Sequence, residues 1–585
     1  MTVNSELIKL VASDRSEDLS PSQVLAVFAG SGGDEDIVRR LMGGGVILLQ
    51  GSRGTGKTML MRVAHERLLA KTAETKSLSV FVSFSRYLAT YNMNTPTQPG
   101  YHIFQSWVFA KIVTALCETA REYTENWPEN IVGDVFGLAP LEEYTQRLET
   151  HYLDSQAGNP SSTAAALQVQ EKDLVDFARL DRIGQRILEF LDRCSFTGVT
   201  FFFDEAAQSF AEELQPEFFQ LVRHLRHHRI SVKAAVYPNT TNYGKDFDIG
   251  QDAVVIPIER QVETTEGMAM FTELVEKRFS GSSLGMSMNS SPNILDFLIK
   301  MSGGNPRWFI HLANAVQVEN GGTIPQPKAI SVAKQFPDST LWPYLRKLRE
   351  NLPRRRNYVD AALSLSTYFL DSIRDANKNV RRGGSPVCYV AVSMHRTVPY
   401  RVHAALGILQ YAGIISRRGP KKISDRDTAE MYMVHPAILV RENIVFGAEP
   451  NPSIDWLLGA FSDPPRDKFR EFTRNSPRLL EFRQSEEADE VLCTKCDQPL
   501  PDNARFCPNC GETTSKISPF QELLSRPADM LEITSGVKQR VLEDGRFPTV
   551  GDLFNASDSA IDSIAWIGPS RVLLIRYAVE EFIAG

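Results

Sequence analysis

Apolar positions recur along this chain with two spacings, and each change of spacing marks an element. Residues 1–40 read as a helical lead-in, with Val24, Leu25, Val27 and Phe28 following a Ser20-Pro21 start signal. Val46 to Gln50 (VILLQ) is a short apolar run ended by glycine, the pattern of a strand buried on both faces. A helical pattern runs from Lys57 to Ala70, followed by a strand over Leu78–Phe84 and a long amphipathic stretch over Tyr101–Arg121. Between about 125 and 172 the chain turns Pro-, Ser- and Ala-rich (GNPSSTAAA), which predicts an insertion with a flexible tip. Leu180–Leu191 reads as a helix, Val199–Phe203 and Val232–Tyr237 as strands. Strands alternating with helices predict a parallel sheet covered on both faces, an α/β core.

Beyond this core the pattern is helical from Gly267 to Val318, and helix-rich with a hairpin-like end from 341 to 445. Residues 447–490 place Pro450, Pro452, Pro464, Pro465 and Pro477 among charges, which predicts a linker carrying a helix or two. A final helical segment covers 519–585, and no repeat of solenoid period is present.

The length of 585 residues predicts several domains, and 42% hydrophobic with 23% charged residues gives each of them material for a core. No run approaches the roughly 18 to 20 apolar residues that cross a bilayer, and the first residues lack a secretory apolar stretch, so the sequence predicts a cytoplasmic protein with no membrane partner. The net charge of −7 conceals a division: residues 341–445 hold 18 Lys/Arg against 8 Asp/Glu, an excess of ten, so the rest of the chain is at −17. One basic module on an acidic body keeps nucleic acid open as a partner. Cys117, Cys194 and Cys388 are isolated and read as inert buried thiols, whereas four more cysteines fall within eighteen residues.

Gly51-Ser52-Arg53-Gly54-Thr55-Gly56-Lys57-Thr58 has the spacing of a phosphate loop between a strand and a helix. Its glycines let successive backbone N–H groups turn toward phosphates at a positive helix N-terminus, Lys57 would reach the β and γ phosphates of ATP, and Thr58 would ligate magnesium. The run TFFFDE delivers Asp204 to the end of an apolar strand, where it would contact the magnesium through the ion's own ligands, with Glu205 beside it to orient and deprotonate water. The strand KAAVY ends in Pro238-Asn239-Thr240, where Asn239, with Thr240 as second choice, would polarise water near the γ phosphate. Ser302-Gly303-Gly304-Asn305-Pro306-Arg307 opens a helix, and an arginine in its first turn opposes the helix dipole, which points to a phosphate ligand for Arg307.

These residues, in this order over about 20 to 320, resemble the AAA+ P-loop ATPases of the origin-recognition-complex-like initiator clade, including its bacterial type. The resemblance implies that Asn239 acts as sensor 1 and Arg307 as sensor 2 on a helical lid. It also implies a neighbouring subunit, hence a homo-oligomer, supplying an arginine finger for which Arg229 and Arg260 are candidates by position. SGGNPR is similar as well to the corresponding segment of STAND signalling NTPases, so a signalling or scaffold NTPase of a bacterial defence or conflict system is the alternative reading.

In the basic module, Tyr400–Tyr411 carries apolar Val402, Ala405, Leu406 and Leu409, and two short strands joined by a basic tip come after it. This resembles a winged helix, which implies that the helix enters the major groove of duplex DNA while Arg417, Arg418, Lys421 and Lys422 contact phosphates. Cys493, Cys496, Cys507 and Cys510 form two CxxC pairs with the spacing of a structural four-cysteine zinc ribbon. The tail, with TVGDLF and IAWIGPSR, resembles helix-hairpin-helix domains and the C-terminal domain of the RNA polymerase α subunit, with Arg571 placed for a phosphate. Residues 490–585 are the segment through which a protein partner would be recruited. The expected architecture is an ATPase core over 1–265, a helical lid over 266–340, a winged-helix-like domain over 341–446, a linker over 447–490, a zinc ribbon over 491–512 and a small all-α domain over 513–585.

Overall fold

The computed structural model describes residues 16–84, 100–137, 179–206, 214–238, 240–316, 322–351, 356–380, 384–395, 398–424, 427–445, 452–462, 468–483, 524–531 and 533–584. Its first body is a five-stranded parallel sheet. The strands are β1 (Val46–Gln50), β2 (Ser77–Ser83), β3 (Gly198–Asp204), β4 (Ile230–Val236) and β5 (Val254–Pro257), in the order β2-β3-β4-β1-β5. Helices α1 (Pro21–Val27), α2 (Asp34–Leu41) and α3 (Lys57–Leu69) belong to one face, α4 (Gly100–Glu122), α5 (Leu180–Arg193) and α6 (Gln215–His224) to the other. The alternation of side chains along a strand sorts the phenylalanines of β3 between the two layers. Phe201 and Phe203 join Trp107, Phe84 and Phe218 on one side, while Phe202 points to the other, with Phe81 stacked at 6.4 Å. Because all strands are parallel, their carboxyl ends share one edge, the place where open α/β sheets present ligand sites.

Strand β5 was not expected: its residues are apolar, but the strand is only four residues long and ends in a proline, which weakens a strand reading. The start of the expected insertion is helical, and its expected flexible tip lies outside the described residues. Residues Ile131–Phe136 form a helix that buries Ile131, Val135 and Phe136, with Phe136 at 5.6 Å from Phe190. Positions 138–172 lie outside the described residues.

The second body has one continuous apolar core running from Val262 to Phe482, so the expected lid and the basic module are not packed as separate units. It contains α7 (Thr265–Arg278), α8 (Pro292–Met301), α9 (Pro306–Ala315), α10 (Gln326–Phe336), α11 (Arg356–Asn377), α12 (Tyr400–Tyr411) and α13 (Pro436–Arg441). It also holds a four-stranded sheet of β6 (Tyr389–Ser393), β7 (Ile415–Ser424), β8 (Asp427–Val434) and β9 (Phe469–Phe472), ordered β7-β8-β6-β9. The helix followed by the antiparallel hairpin β7–β8 is the pattern read from the sequence. The segment expected as a linker is instead structural: Ile454, Leu457 and Phe461 sit in the shared core, and β9 pairs in parallel with β6. Of its prolines, Pro477 opens a short helix, while Pro450, Pro464 and Pro465 lie outside the described residues.

The tail forms its own small core around Leu531, Val541, Leu553, Ile561 and Ile575. Thr549 and Asp552 cap the helix Val550–Asn555 reciprocally, and the helix Pro569–Ala584 comes after a turn whose Trp566 is 77% exposed. Among the described residues no helix is long and apolar enough to cross a membrane.

Candidate nucleotide site

The loop from Gly51 to Thr58 joins the end of β1 to α3, at the carboxyl edge of the sheet. Gly54 and Gly56 have φ of +81° and +91°, backbone that L side chains rarely adopt, so the glycine spacing is a requirement of the turn. Gly54 is constrained twice. A Cβ there would lie 2.7 Å from Asn305 Oδ1 and 3.0 Å from Arg307 Cβ, because the start of α9 packs directly on the loop. Asn305 caps α9 by accepting from the backbone N–H of Arg307 at 3.1 Å and of Trp308 at 3.4 Å, and its Nδ2 donates to the Arg53 carbonyl at 2.7 Å. One side chain therefore fixes the first turn of the lid helix and attaches it to the loop.

Lys57 is buried, and its Nζ donates to the carbonyls of Gly51 at 2.7 Å and Ser52 at 2.9 Å while standing 4.0 Å over the Tyr237 ring. Burial lowers the lysine to about 7, the nearby Asp204 charge opposing that shift and Arg307 and Arg53 adding to it. Asp204, at the end of β3, is also buried and is pushed up to about 8, first by burial and then by the Glu205 carboxylate beside it; a hydrogen bond with Thr58 pulls the other way. Glu205 has a φ of +60°, and its N–H is bonded to Asp204 Oδ1 at 3.1 Å, so the turn that ends β3 presents two successive carboxyls. The Thr58–Asp204 contact beside a phosphate loop is the donor set a magnesium ion takes, hard oxygens with room for phosphate and water, and the residues fit it.

The same cleft is lined by Val27, Phe28, Met270, Leu274 and Ile310, an apolar end suited to a base, and by Arg278. None of these carries a spacing motif, and the sequence reading placed none of them in the site. Arg307 lines the cleft as expected. Asn239 lies outside the described residues; of its neighbours, Tyr237 lines the cleft and Thr240 is partly buried after the strand.

Two expectations for arginines are corrected, at Arg260 and Arg418. Arg260 is buried in its own subunit, its guanidinium donating to the Thr55 carbonyl at 2.7 Å and to Asp34 Oδ2 at 2.6 Å, so it braces the phosphate loop and does not project as a finger. Arg229 precedes β4, at the sheet edge away from the phosphate loop, and is held by the carbonyls of Phe196 and Thr197 and by Asp192. Arg418 is buried in a two-bond ion pair with Glu263 and offers nothing to a phosphate in this arrangement. Of the other basic residues on the hairpin, Arg417 pairs with Glu430 at 2.7 Å, Lys421 stands 5.4 Å over Phe469, and Lys422 is exposed. Arg571 is exposed in the tail and donates to the Trp566 carbonyl. Cys493, Cys496, Cys507 and Cys510 lie outside the described residues.

Residues 10–286, which include the loop, β1 to β5 and the paired carboxyls, match the ORC-CDC6-like family model. This part of the chain is similar to ORC-CDC6-like proteins. Residues 492–513, with all four clustered cysteines, match a zinc-ribbon domain. No curated protein matches the chain. Among solved structures, the chain is similar to the Walker-type ATPase of Pyrococcus abyssi, at 12% identity and a TM-score of 0.33 over 74% of this chain and 97% of that one. The Aeropyrum pernix ORC1 protein in complex with DNA matches at 11% and 0.28, over 73% of this chain and 95% of its own. The Aeropyrum pernix ORC2 protein, in ADPNP and ADP complexes, matches at 12% and 0.30 over 73% and 93%.

Proposed function

We propose that the protein is a cytoplasmic ATPase that binds ATP with magnesium, hydrolyses it, and couples the nucleotide state to duplex DNA binding or assembly. The observation that carries the reading is the convergence of Lys57, Thr58, Asp204, Glu205 and Arg307 on one cleft at the sheet edge, in a chain similar to ORC-CDC6-like proteins over residues 10–286. The loop N–H groups and Lys57 would hold the phosphates, Thr58 and Asp204 the magnesium, whose charge neutralises the phosphate oxygens. Glu205 would orient a water and accept its proton, and Arg307 would stabilise charge on the γ phosphate. A basic module with a helix and a hairpin supports duplex DNA as the partner, and the family match at 492–513 supports structural zinc held by the four cysteines.

Glu205→Gln tests the hydrolytic role. Binding of a fluorescent ATP analogue should be unchanged while phosphate release falls by about 10²-fold or more, the usual worth of a general base. Release at the wild-type rate would remove Glu205 from the mechanism.

A further inference from the structure

Beside the apolar end of the cleft the chain passes from one core to the other. Phe28 belongs to the core between the sheet and α3, with Leu60 and Ile256, whereas its neighbour Ala29 belongs to the lid core, with Met270 and Phe271. The residues that follow lie against α7. Gly32 (φ +67°) comes so near the first turn of that helix that a Cβ would stand 2.8 Å from the Glu266 carbonyl oxygen. On α7 itself, Met270 and Leu274 are one turn apart and line the cleft. Glu273 and Lys277, one turn apart on the next stripe of the helix, grip the passing segment. Glu273 Oε2 accepts from the Ser31 N–H at 2.8 Å and from the Ser31 hydroxyl at 2.6 Å. Lys277 Nζ donates to the Phe28 carbonyl at 2.7 Å and pairs with Glu273 Oε1 at 2.7 Å.

Burial alone would raise the Glu273 carboxyl, but the bonds from Lys277 and Ser31 outweigh it and bring it down to about 2, so it stays ionised. From the other side Arg67, whose Nη2 donates to Glu35 Oε2 at 3.1 Å, stands 5.6 Å over the Phe28 ring. Ser31, Glu273 and Lys277 are not among the described residues that line the cleft, so they can act on a ligand only through its walls. We propose that Glu273 and Lys277 are positioning residues for the base: by clamping Phe28–Ser31 to α7 they set the gap between the Phe28 wall and the Met270–Leu274 wall, and with it the affinity for the nucleoside rather than for the phosphates. Because the two walls belong to different cores, an unclamped slot would have to be ordered by the base itself, at a cost in affinity. The phosphate loop is braced separately, by Arg260 and Asn305, so losing the clamp leaves it in place. The inference rests on the nucleotide reading, with the base at the apolar end.

Competition binding to the full-length protein with magnesium decides it, with a non-hydrolysable ATP analogue and inorganic tripolyphosphate as the two ligands. Glu273→Ala and Lys277→Met should each weaken the analogue by about tenfold, the low end for a charge-assisted hydrogen bond because the pair is partly exposed. Tripolyphosphate should bind both variants as it binds the wild type, and Lys277→Arg, which keeps a donor, should recover most of the analogue affinity. Equal losses for the two ligands mean a general loss of structure, and no loss for the analogue means an idle clamp; either overturns the proposal. If the wild type binds the analogue no better than tripolyphosphate, there is no base slot to position and the proposal falls alone. If it binds neither ligand, the nucleotide reading is what fails, and the proposal goes with it.

Discussion

Lys57 and Asp204 are two charged groups that burial has moved toward neutrality from opposite sides, the lysine down to about 7 and the aspartate up to about 8. Their ligands pull them apart again, since phosphate favours the protonated lysine and a divalent cation the ionised aspartate. Nucleotide affinity without magnesium should therefore fall as pH rises through about 7, where Lys57 loses its proton. The strengthening by magnesium should grow as pH rises through about 8, where Asp204 ionises. Titrating analogue binding across both values, with magnesium and with chelator, checks the two signs. Gly54→Ala combines unfavourable backbone with a collision at Asn305, and should cost about 1 to 2 kcal/mol from φ alone. Its thermal midpoint should drop and its nucleotide affinity weaken together. The loop, Asp204 and Glu205 were legible because phosphate and metal chemistry demand particular residues at particular spacings. Tyr237, Phe28, Met270 and Leu274 were not, because an apolar wall can be built from many residues drawn from distant elements.

Among elements, the hairpin β7–β8 shows where charge counting stops being informative. Arg417 and Arg418 are neighbours of identical chemistry, and the alternation of a strand sends the first outward and the second into a buried pair. Arg418→Ala should cost about 3 to 5 kcal/mol in denaturant unfolding, because it leaves Glu263 buried without its counter-charge. Replacing both partners, Arg418→Met with Glu263→Gln, should cost far less. Lys422→Ala should leave stability unchanged and, if this exposed side contacts duplex phosphates, lower the salt dependence of binding by about one ion per contact. Strands β6 and β9 went unread for a related reason. β6 is a five-residue run shortly after Pro386, and β9 (FREF) has no period-two alternation and lies in a segment dominated by proline and charge, so only pairing to β6 makes it a strand.

For the whole molecule, the opposed charges of the sequence become a spatial fact: the basic module is packed into a core continuous with the lid, and the segment after it that was expected to be a linker joins the same core. The tail, by contrast, has its own apolar cluster, and the zinc-ribbon match lies between the two. Chelating zinc should accordingly unfold about residues 490–512 alone and leave nucleotide binding intact, since metal-binding energy is spent locally as folding energy. Limited proteolysis after chelation, followed by analogue binding to the surviving fragment, checks this. The attachment of Asn305 to the Arg53 carbonyl has a kinetic meaning at this scale. A nucleotide seated as proposed would leave past α9 only when the lid parts from the loop, so its residence time would follow the rate of lid opening, and weakening the attachment should shorten occupancy more than it slows capture.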